Sequence, residues 1–541
     1  MIGGMTLLQP ARVCFWLASL LLTGSLAQAA GHGVDVGDVG DGASAAAHRR
    51  DDRQTKTPYV PRQPLSSLEP PPAGFAPVFT QLLARHGSRG LTGMKSDLAL
   101  YRMWQQAEQE DALTPLGRTL GPALQAMLRA NFLLGAGVPG ISQPGYGNET
   151  LAGLQEHTGL AQRMVQRLPD LFDEAVQGAR QVVVVSSGKD RAVDSAEAFV
   201  QSLLATRPGL RAHVEGPSRD VYLLYFHRLP KTPPAEAATS EAGPEQALRL
   251  QTWKDSQAYQ AYTRSAALKV QLERIRLDPR LQGAADTVLP RLFTAAFLAR
   301  LQQGSYRFSN SGTLSFTSAD GRYANTLSGD GRSVIANGLQ AAWALYDLYA
   351  ISAGMERELA QAGSSAEAFA RLMPAQAADV FAEAEDAEDF YSKGPGMVEQ
   401  GDVSSRMGRI LLKDFFDEAD AIDRGQRQHL AKLRFAHAEI VIPLATLLGL
   451  PAAARQVTER IPYAPASNGW RGAQIAPMAA NLQWDMFADA GGRTLVRLLY
   501  NEGQMDFKQA CEQARIAPHS HYYDYRELRR CYAQALAGGQ N

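Results

Sequence analysis

Four consecutive valines, Val182 to Val185, run straight into Ser186-Ser187-Gly188-Lys189-Asp190-Arg191, and a helical pattern follows over Asp194–Leu204. A continuous β-branched run suits a strand buried on both faces, and such strands belong to parallel sheets covered by helices. A second β-rich run, Val78–Leu83, also ends in a polar, glycine-containing stretch, Ala84-Arg85-His86-Gly87-Ser88-Arg89. Helical patterns dominate elsewhere, as over Ala336–Glu358 and over Ala375–Asp389, where Pro374 suits a helix start. Strands separated by long helical stretches predict an α/β fold. The expected form is a central mixed, largely parallel sheet flanked by helices, with a second, mostly α-helical domain.

A chain of 541 residues is long for one ordinary core. Its 45% hydrophobic and 20% charged residues fit a globular protein and exclude wholesale disorder. Lys+Arg is 54 and Asp+Glu is 55, a formal net charge of −1. That balance argues against a nucleic-acid partner and against a polybasic membrane binder, both of which need a basic excess. It leaves room for a small basic pocket.

Arg12 precedes an apolar run from Val13 to about Leu22, and Ala27-Gln28-Ala29 supplies a small-x-small cleavage pattern. The run is shorter than the ~20 residues of a spanning helix, so residues 1–29 read as a removed signal peptide and no stable membrane insertion is expected. The protein is then periplasmic or secreted. Cleavage discards Cys14 and leaves Cys511 and Cys531, which an oxidising compartment would join. Residues 30–74 form an expected disordered, then Pro-rich, lead-in, with the folded body starting near Phe75. The core is expected over 75–225 and 400–541, with a largely helical insertion or cap over 226–399.

In open α/β sheets, ligands bind beyond the C-terminal ends of the strands. The first two strand ends supply Arg85, His86, Arg89 and Arg191. A third segment, Leu433-Arg434-Phe435-Ala436-His437-Ala438-Glu439, is a short apolar run ending in a histidine, with a glutamate two positions on. Arginine forks suit the equatorial oxygens of a phosphoryl group. A neutral histidine is a competent nucleophile, and a carboxylic acid is able to protonate a leaving alcohol. Each piece alone has an ordinary structural explanation. A lone histidine at a strand end is more often structural, and a glutamate in a first helical turn more often answers the helix dipole.

Together the pieces resemble the histidine acid phosphatases, clade 2 of the histidine phosphatase superfamily. Arg85-His86-Gly87-Ser88-Arg89 is similar to that family's RHGxRxP signature, and His437-Ala438-Glu439 to the His-Ala-Glu form typical of multiple inositol polyphosphate phosphatases and phytases of that type. The stretches 186–199, 344–349, FYSKGPG (390–396), 437–450, 477–482 and 496–504 are also similar, so the resemblance spans roughly residues 75–535.

The resemblance implies an α/β phosphatase core with a helical cap and the site between them. It implies His86 as the nucleophile, Glu439 as the proton donor, and Arg85, Arg89, Arg191 and His437 as phosphate-binding groups, with no cofactor and no metal. The implied activity is phosphomonoester hydrolysis, with inositol polyphosphates such as phytate as the small-molecule substrate. A broad-specificity acid or sugar phosphatase is the nearby alternative, and a non-catalytic phosphate-ligand binding protein the more distant one. One position departs: where the motif has proline, this chain has Leu91. Lys95 and Lys189, and more weakly Arg406, are candidates for peripheral phosphates. His519-Ser520-His521 has alternate spacing but no acidic or cysteine partner in sequence, so a metal is not expected there. Asn148-Glu149-Thr150 fits a glycosylation acceptor pattern.

Overall fold

The valine run forms the strand Gln181–Ser186, with Val182 and Val184 wholly buried. The structure is a computed structural model that describes residues 51–177, 180–234 and 243–536. The strand belongs to an eight-stranded sheet, labelled here in chain order: β1 (Ala76–Arg85), β2 (Gln181–Ser186), β3 (Val214–Arg219), β4 (His429–Ala436), β5 (Asn481–Ala488), β6 (Thr494–Tyr500), β7 (Gly503–Met505) and β8 (Tyr522–Asp524). The spatial order is β7-β6-β5-β1-β4-β2-β3, with β8 also paired to β6. The neighbours β1, β4, β2 and β3 run parallel, and β5 to β8 add antiparallel pairs on the other side of β1. The result is the mixed α/β sheet flanked by helices that the strand pattern predicts.

β4 comes late in the chain yet lies between β1 and β2. Its end is in register with both: Ala436 faces Arg85 and Phe435 faces Ser186. Parallel strands share a direction, so three C-terminal ends open side by side.

The sheet is covered on two faces. One apolar cluster joins Leu82 and Ala84 of β1 with Val184, Leu433 and Phe435 and the helices Leu151–Arg167 and Asp190–Thr206. The other joins Phe79 and Leu83 with the helices Arg409–Asp423 and Ala438–Leu447.

A separate helical cluster packs Leu100, Met103 and Trp104 of Ser96–Gln109 and Leu120, Leu124 and Met127 of Pro115–Phe132 against the helices Pro279–Val288, Gly338–Ser352 and Ala375–Ser392. The helical layer is therefore not confined to 226–399, because the apolar faces of two helices between β1 and β2 find their partners there. The stretch also contains a hairpin, Gly312–Thr317 with Ala324–Gly329.

The lead-in expectation needs correction from Asp51 onward. Gln54, Thr55, Thr57 and Tyr59 are buried. The segment from Thr57 on is held by long-range bonds: Met478 N–H donates to Thr57 O at 2.9 Å, Tyr59 N–H to Glu156 Oε1 at 2.9 Å, and Arg62 N–H to Asn501 O at 3.0 Å. Prolines exclude a helix but not packing, and an aperiodic strap carries no amphipathic signature. The signal peptide, Cys14 and the lead-in up to residue 50 lie outside the described residues.

Cys511 and Cys531 form a disulfide, with Cα atoms 5.6 Å apart. No described helix is long and apolar enough to cross a membrane.

Candidate active site

Arg85 is the last residue of β1 and is 3% exposed. Its Nη1 donates to the carbonyls of Thr55 at 2.6 Å and Ala476 at 2.5 Å. His86 follows where the strand leaves the sheet. Its N–H donates to Ala436 O at 2.9 Å, and its carbonyl accepts from Ala479 N–H at 2.9 Å. The ring Nδ1 lies 2.9 Å from Gly87 O. A carbonyl only accepts, so Nδ1 carries the proton and the Nε2 lone pair is left for chemistry. Burial, then the charges of Arg191 and Arg85, hold this imidazole well below its ordinary pKa. It is neutral, the form in which an imidazole nitrogen has a lone pair to offer.

His437 caps the helix Ala438–Leu447 at the end of β4. Arg191 Nη2 donates to its Nδ1 at 3.3 Å, so Nε2 carries the proton toward Ser187 Oγ at 2.9 Å. The His86 and His437 rings stand edge to face with centroids 5.4 Å apart. Arg89 donates from Nη1 to Gly90 O at 2.7 Å.

Burial pushes Arg85 down to about 10 and Arg89 down to about 9, and neighbouring guanidiniums add to each shift. Among the described residues none of Arg85, Arg89 and Arg191 is ion-paired to a carboxylate, and each keeps a buried Nε with no hydrogen-bond partner. Three guanidiniums crowded beside a neutral histidine disfavour their own charge and favour a multiply charged oxyanion among them.

Glu439 sits in the first turn of the helix after His437. Burial pushes its carboxyl up, but Lys393, His227 and His437 outweigh burial and hold it well below the usual carboxylate range. Lys393 Nζ lies 3.8 Å from Glu439 Oε1 and 2.8 Å from Asp389 Oδ1. Lys393 was legible only as part of the FYSKGPG stretch, and His227, buried and edge-on to Tyr225 at 4.6 Å, had no motif at all. Two further carboxylates brace the loop after His86. Glu149 Oε1 accepts from Gly87 N–H at 2.6 Å, and Glu156 accepts from Ser88 N–H and Oγ–H, each at 2.7 Å. A Cβ on Gly87 would meet Gly153 O at 2.5 Å, so this loop needs the glycine.

The structure thus brings together Arg85, His86, Arg89, Arg191, His437 and Glu439. Lys189 stands at their rim: its ammonium lies 5.0 Å over the Tyr225 ring, which packs against His437 at 5.3 Å. Lys95 begins the helix Ser96–Gln109, and its charge acts on Asp330. The interactions that join the six residues do not include it. Arg406 pairs instead with Asp255 at 3.3 Å. His521 Nδ1 lies 2.9 Å from Asp506 Oδ1, and no group of three or more His, Cys, Asp or Glu among the described residues is arranged to hold a metal. The glycosylation reading fails because Asn148 is 3% exposed and its Oδ1 accepts from Glu149 N–H at 3.0 Å.

Leu91 makes use of its departure from proline. Its N–H, which proline lacks, donates to Asn131 Oδ1 at 2.8 Å, and Asn131 Nδ2 donates to Met127 O at 2.9 Å. Asn131→Leu should destabilise the fold by about 1–3 kcal/mol, because this partly buried N–H loses its acceptor. Denaturant unfolding midpoints check this, and an unchanged midpoint would mean the bond contributes nothing.

The sequence profile of the histidine phosphatase superfamily, branch 2, matches residues 78–501. Among solved structures, Bifidobacterium longum multiple inositol polyphosphate phosphatase in complex with inositol hexasulfate is 30% identical with a TM-score of 0.74, over 88% of this chain and 97% of that one. The same enzyme in complex with phosphate is 29% identical with a TM-score of 0.75, over 90% and 98%. The phytase from D. castellii, 14% identical with a TM-score of 0.55 over 93% of this chain and 90% of that one, shares the fold. No curated protein matches significantly. With three strand ends gathering arginines and histidines at one place, and the profile spanning the sheet from β1 to β6, the chain belongs to branch 2 of the histidine phosphatase superfamily.

Proposed function

We propose that this enzyme is an exported phosphomonoesterase that removes phosphate from inositol polyphosphates, phytate among them, through a phosphohistidine. The observation that carries the reading is the neutral His86, its Nε2 free, beside three guanidiniums that lack carboxylate partners among the described residues. Nε2 attacks phosphorus and the bond from phosphorus to the ester oxygen breaks, that oxygen leaving with the inositol. Glu439 gives its proton to the departing oxygen. Water then attacks the phosphohistidine, returns a proton to Glu439 and releases inorganic phosphate with His86 restored. Arg85, Arg89, Arg191 and His437 hold the transferring phosphoryl group, where charge shifts most in the transition state. The balance closes without a metal or an organic cofactor.

Glu439 must be protonated to act, although Lys393 and its histidine neighbours favour the carboxylate. An incoming polyphosphate answers that: its negative charges offset Lys393 and lift the Glu439 pKa when substrate is bound. The B. longum relative's complexes with phosphate and inositol hexasulfate support the substrate class. Lys189 and Lys95 are proposed to meet peripheral phosphates. Export rests on the leader pattern of residues 1–29 and on the disulfide.

The test is kcat/KM for phytate against that for a small sugar phosphate, with inositol phosphate products followed over time. Phytate should be preferred by at least about tenfold, the effect of one extra charge-assisted contact. Equal or reversed preference would favour the broad-specificity phosphatase.

A further inference from the structure

The strap that precedes β1 does more than cover the sheet. Residues Asp51–Lys56 form a short kinked turn in which Gln54 adopts φ 53° and ψ −141°, a conformation that side-chain-bearing residues rarely take. Gln54 is 2% exposed and uses both ends of its amide. Oε1 accepts from Thr55 N–H at 2.5 Å and Thr55 Oγ–H at 2.6 Å, which fixes Thr55. The Thr55 carbonyl in turn accepts from Arg85 Nη1 at 2.6 Å. At the other end, Nε2 donates to Asp389 Oδ2 at 3.0 Å. The second oxygen of Asp389 holds Lys393, whose ammonium faces Glu439. The fit is close: a Cβ on Gly472 would lie 2.5 Å from Gln54 Nε2. The strap is anchored on either side, by Lys56 to Glu385 at 2.7 Å and to Asp347 at 3.2 Å, and by Tyr349 O–H to Asp52 Oδ2 at 2.5 Å.

We infer that Gln54 is a positioning residue for catalysis: one side-chain amide sets Arg85 through Thr55 and sets Glu439 through Asp389 and Lys393, so the segment before the sheet is a working part of the site. This rests on the proposed phosphohistidine reading, in which Arg85 binds the phosphoryl group and Glu439 protonates the leaving oxygen. Its physical content is that one buried amide joins two chains of polar contacts, one running through the adjacent Thr55 to Arg85 and one through Asp389, 335 positions away, to Lys393. A buried donor or acceptor left unpaired forces its neighbours to rearrange.

The experiment compares the full-length wild-type enzyme with Gln54→Leu, Asp389→Asn, their double variant, and His86→Ala, on phytate and across pH. Gln54→Leu removes both amide contacts at similar size. Its kcat should fall by roughly tenfold or more, the effect expected when a charge-assisted bond that orders a catalytic group is lost. KM should change little. With Asp389 no longer fixed by the amide, its hold on Lys393 loosens, Glu439 loses part of its nearest stabilising charge and its pKa rises. The limb of kcat/KM that descends with rising pH should therefore move toward alkaline pH. The double variant should be no slower than the slower single one if both act through one chain of contacts. Near-UV circular dichroism and the melting temperature report folding. If Gln54→Leu melts below the assay temperature, Asp389→Asn supplies the same kcat and pH readout, and a wild-type profile there overturns the inference. A folded Gln54→Leu with wild-type kcat and pH profile also overturns it, as does a fall in kcat with no movement of the limb. The parent reading fails separately, if His86→Ala still turns over phytate.

Discussion

Replacing His86 with alanine abolishes hydrolysis of phytate and of small phosphate esters alike, by more than about 10⁴-fold in kcat, while the protein stays folded. On the proposed mechanism nothing else replaces the imidazole: the arginines bind the phosphoryl group but have no lone pair to offer it, and removing one member of a covalent machinery costs about as much as removing all of it. The fold survives because the contacts that seat this residue are backbone ones, its N–H to Ala436 O and its carbonyl from Ala479 N–H. The side chain's hydrogen bond to the local Gly87 carbonyl is the only one it makes among the described residues, and it does not cross between elements. Rapid acid-free quenching of wild-type enzyme with labelled substrate should leave phosphate on the peptide that contains His86, and the variant should carry none. Label on a different residue, or turnover by the variant, would exclude His86 as the nucleophile.

The second large effect falls on Glu439. Glu439→Gln keeps the shape and removes the transferable proton, so phytate hydrolysis should drop by about 10²–10⁴-fold, the usual worth of a positioned general acid. An ester whose leaving group departs as a stable anion, such as p-nitrophenyl phosphate, needs no protonation and should be far less affected. The contrast separates a proton donor from a residue that merely supports the site, since the latter would slow both substrates equally. The pH profile adds a sign. In the free enzyme the Glu439 carboxyl lies well below its ordinary range, held there chiefly by Lys393 against the effect of burial. The protonated form is therefore abundant only at acid pH, and kcat/KM for phytate should fall as pH rises through that depressed pKa. In Glu439→Gln that limb should disappear, leaving only the ionisation of the substrate. A limb that persists unchanged would assign the titration to another group.

Much of this site is local in sequence, which is why a single chain reveals it. Arg85, His86 and Arg89 occupy five positions at one strand end, and His437 and Glu439 three at another. The polar, glycine-containing segment after a continuous apolar run marks where a strand stops, and strand ends are where α/β sheets place ligands. Other parts carry no such mark. Lys393 ends a helix among ordinary acidic residues and gains its meaning only from lying 3.8 Å from Glu439. Glu149 is part of an apparent glycosylation tripeptide, and its burial against Gly87 is invisible until the loop and its helix meet. The Pro-rich strap has no periodicity to read, yet its carbonyls and amides bond residues hundreds of positions away.

Sequence alone thus determines the local chemistry of this protein: which residues end the buried strands, which of them are charged or nucleophilic, and that an α/β sheet holds them. Only the tertiary structure decides that β4, last of the three along the chain, inserts between β1 and β2, so that His86, Arg191 and His437 meet. It also decides that a strap before the sheet reaches Arg85 and Asp389. The reason is physical. Hydrophobic periodicity is written over neighbouring residues, whereas strand order and long-range hydrogen bonds are settled by which distant surfaces bury one another most completely.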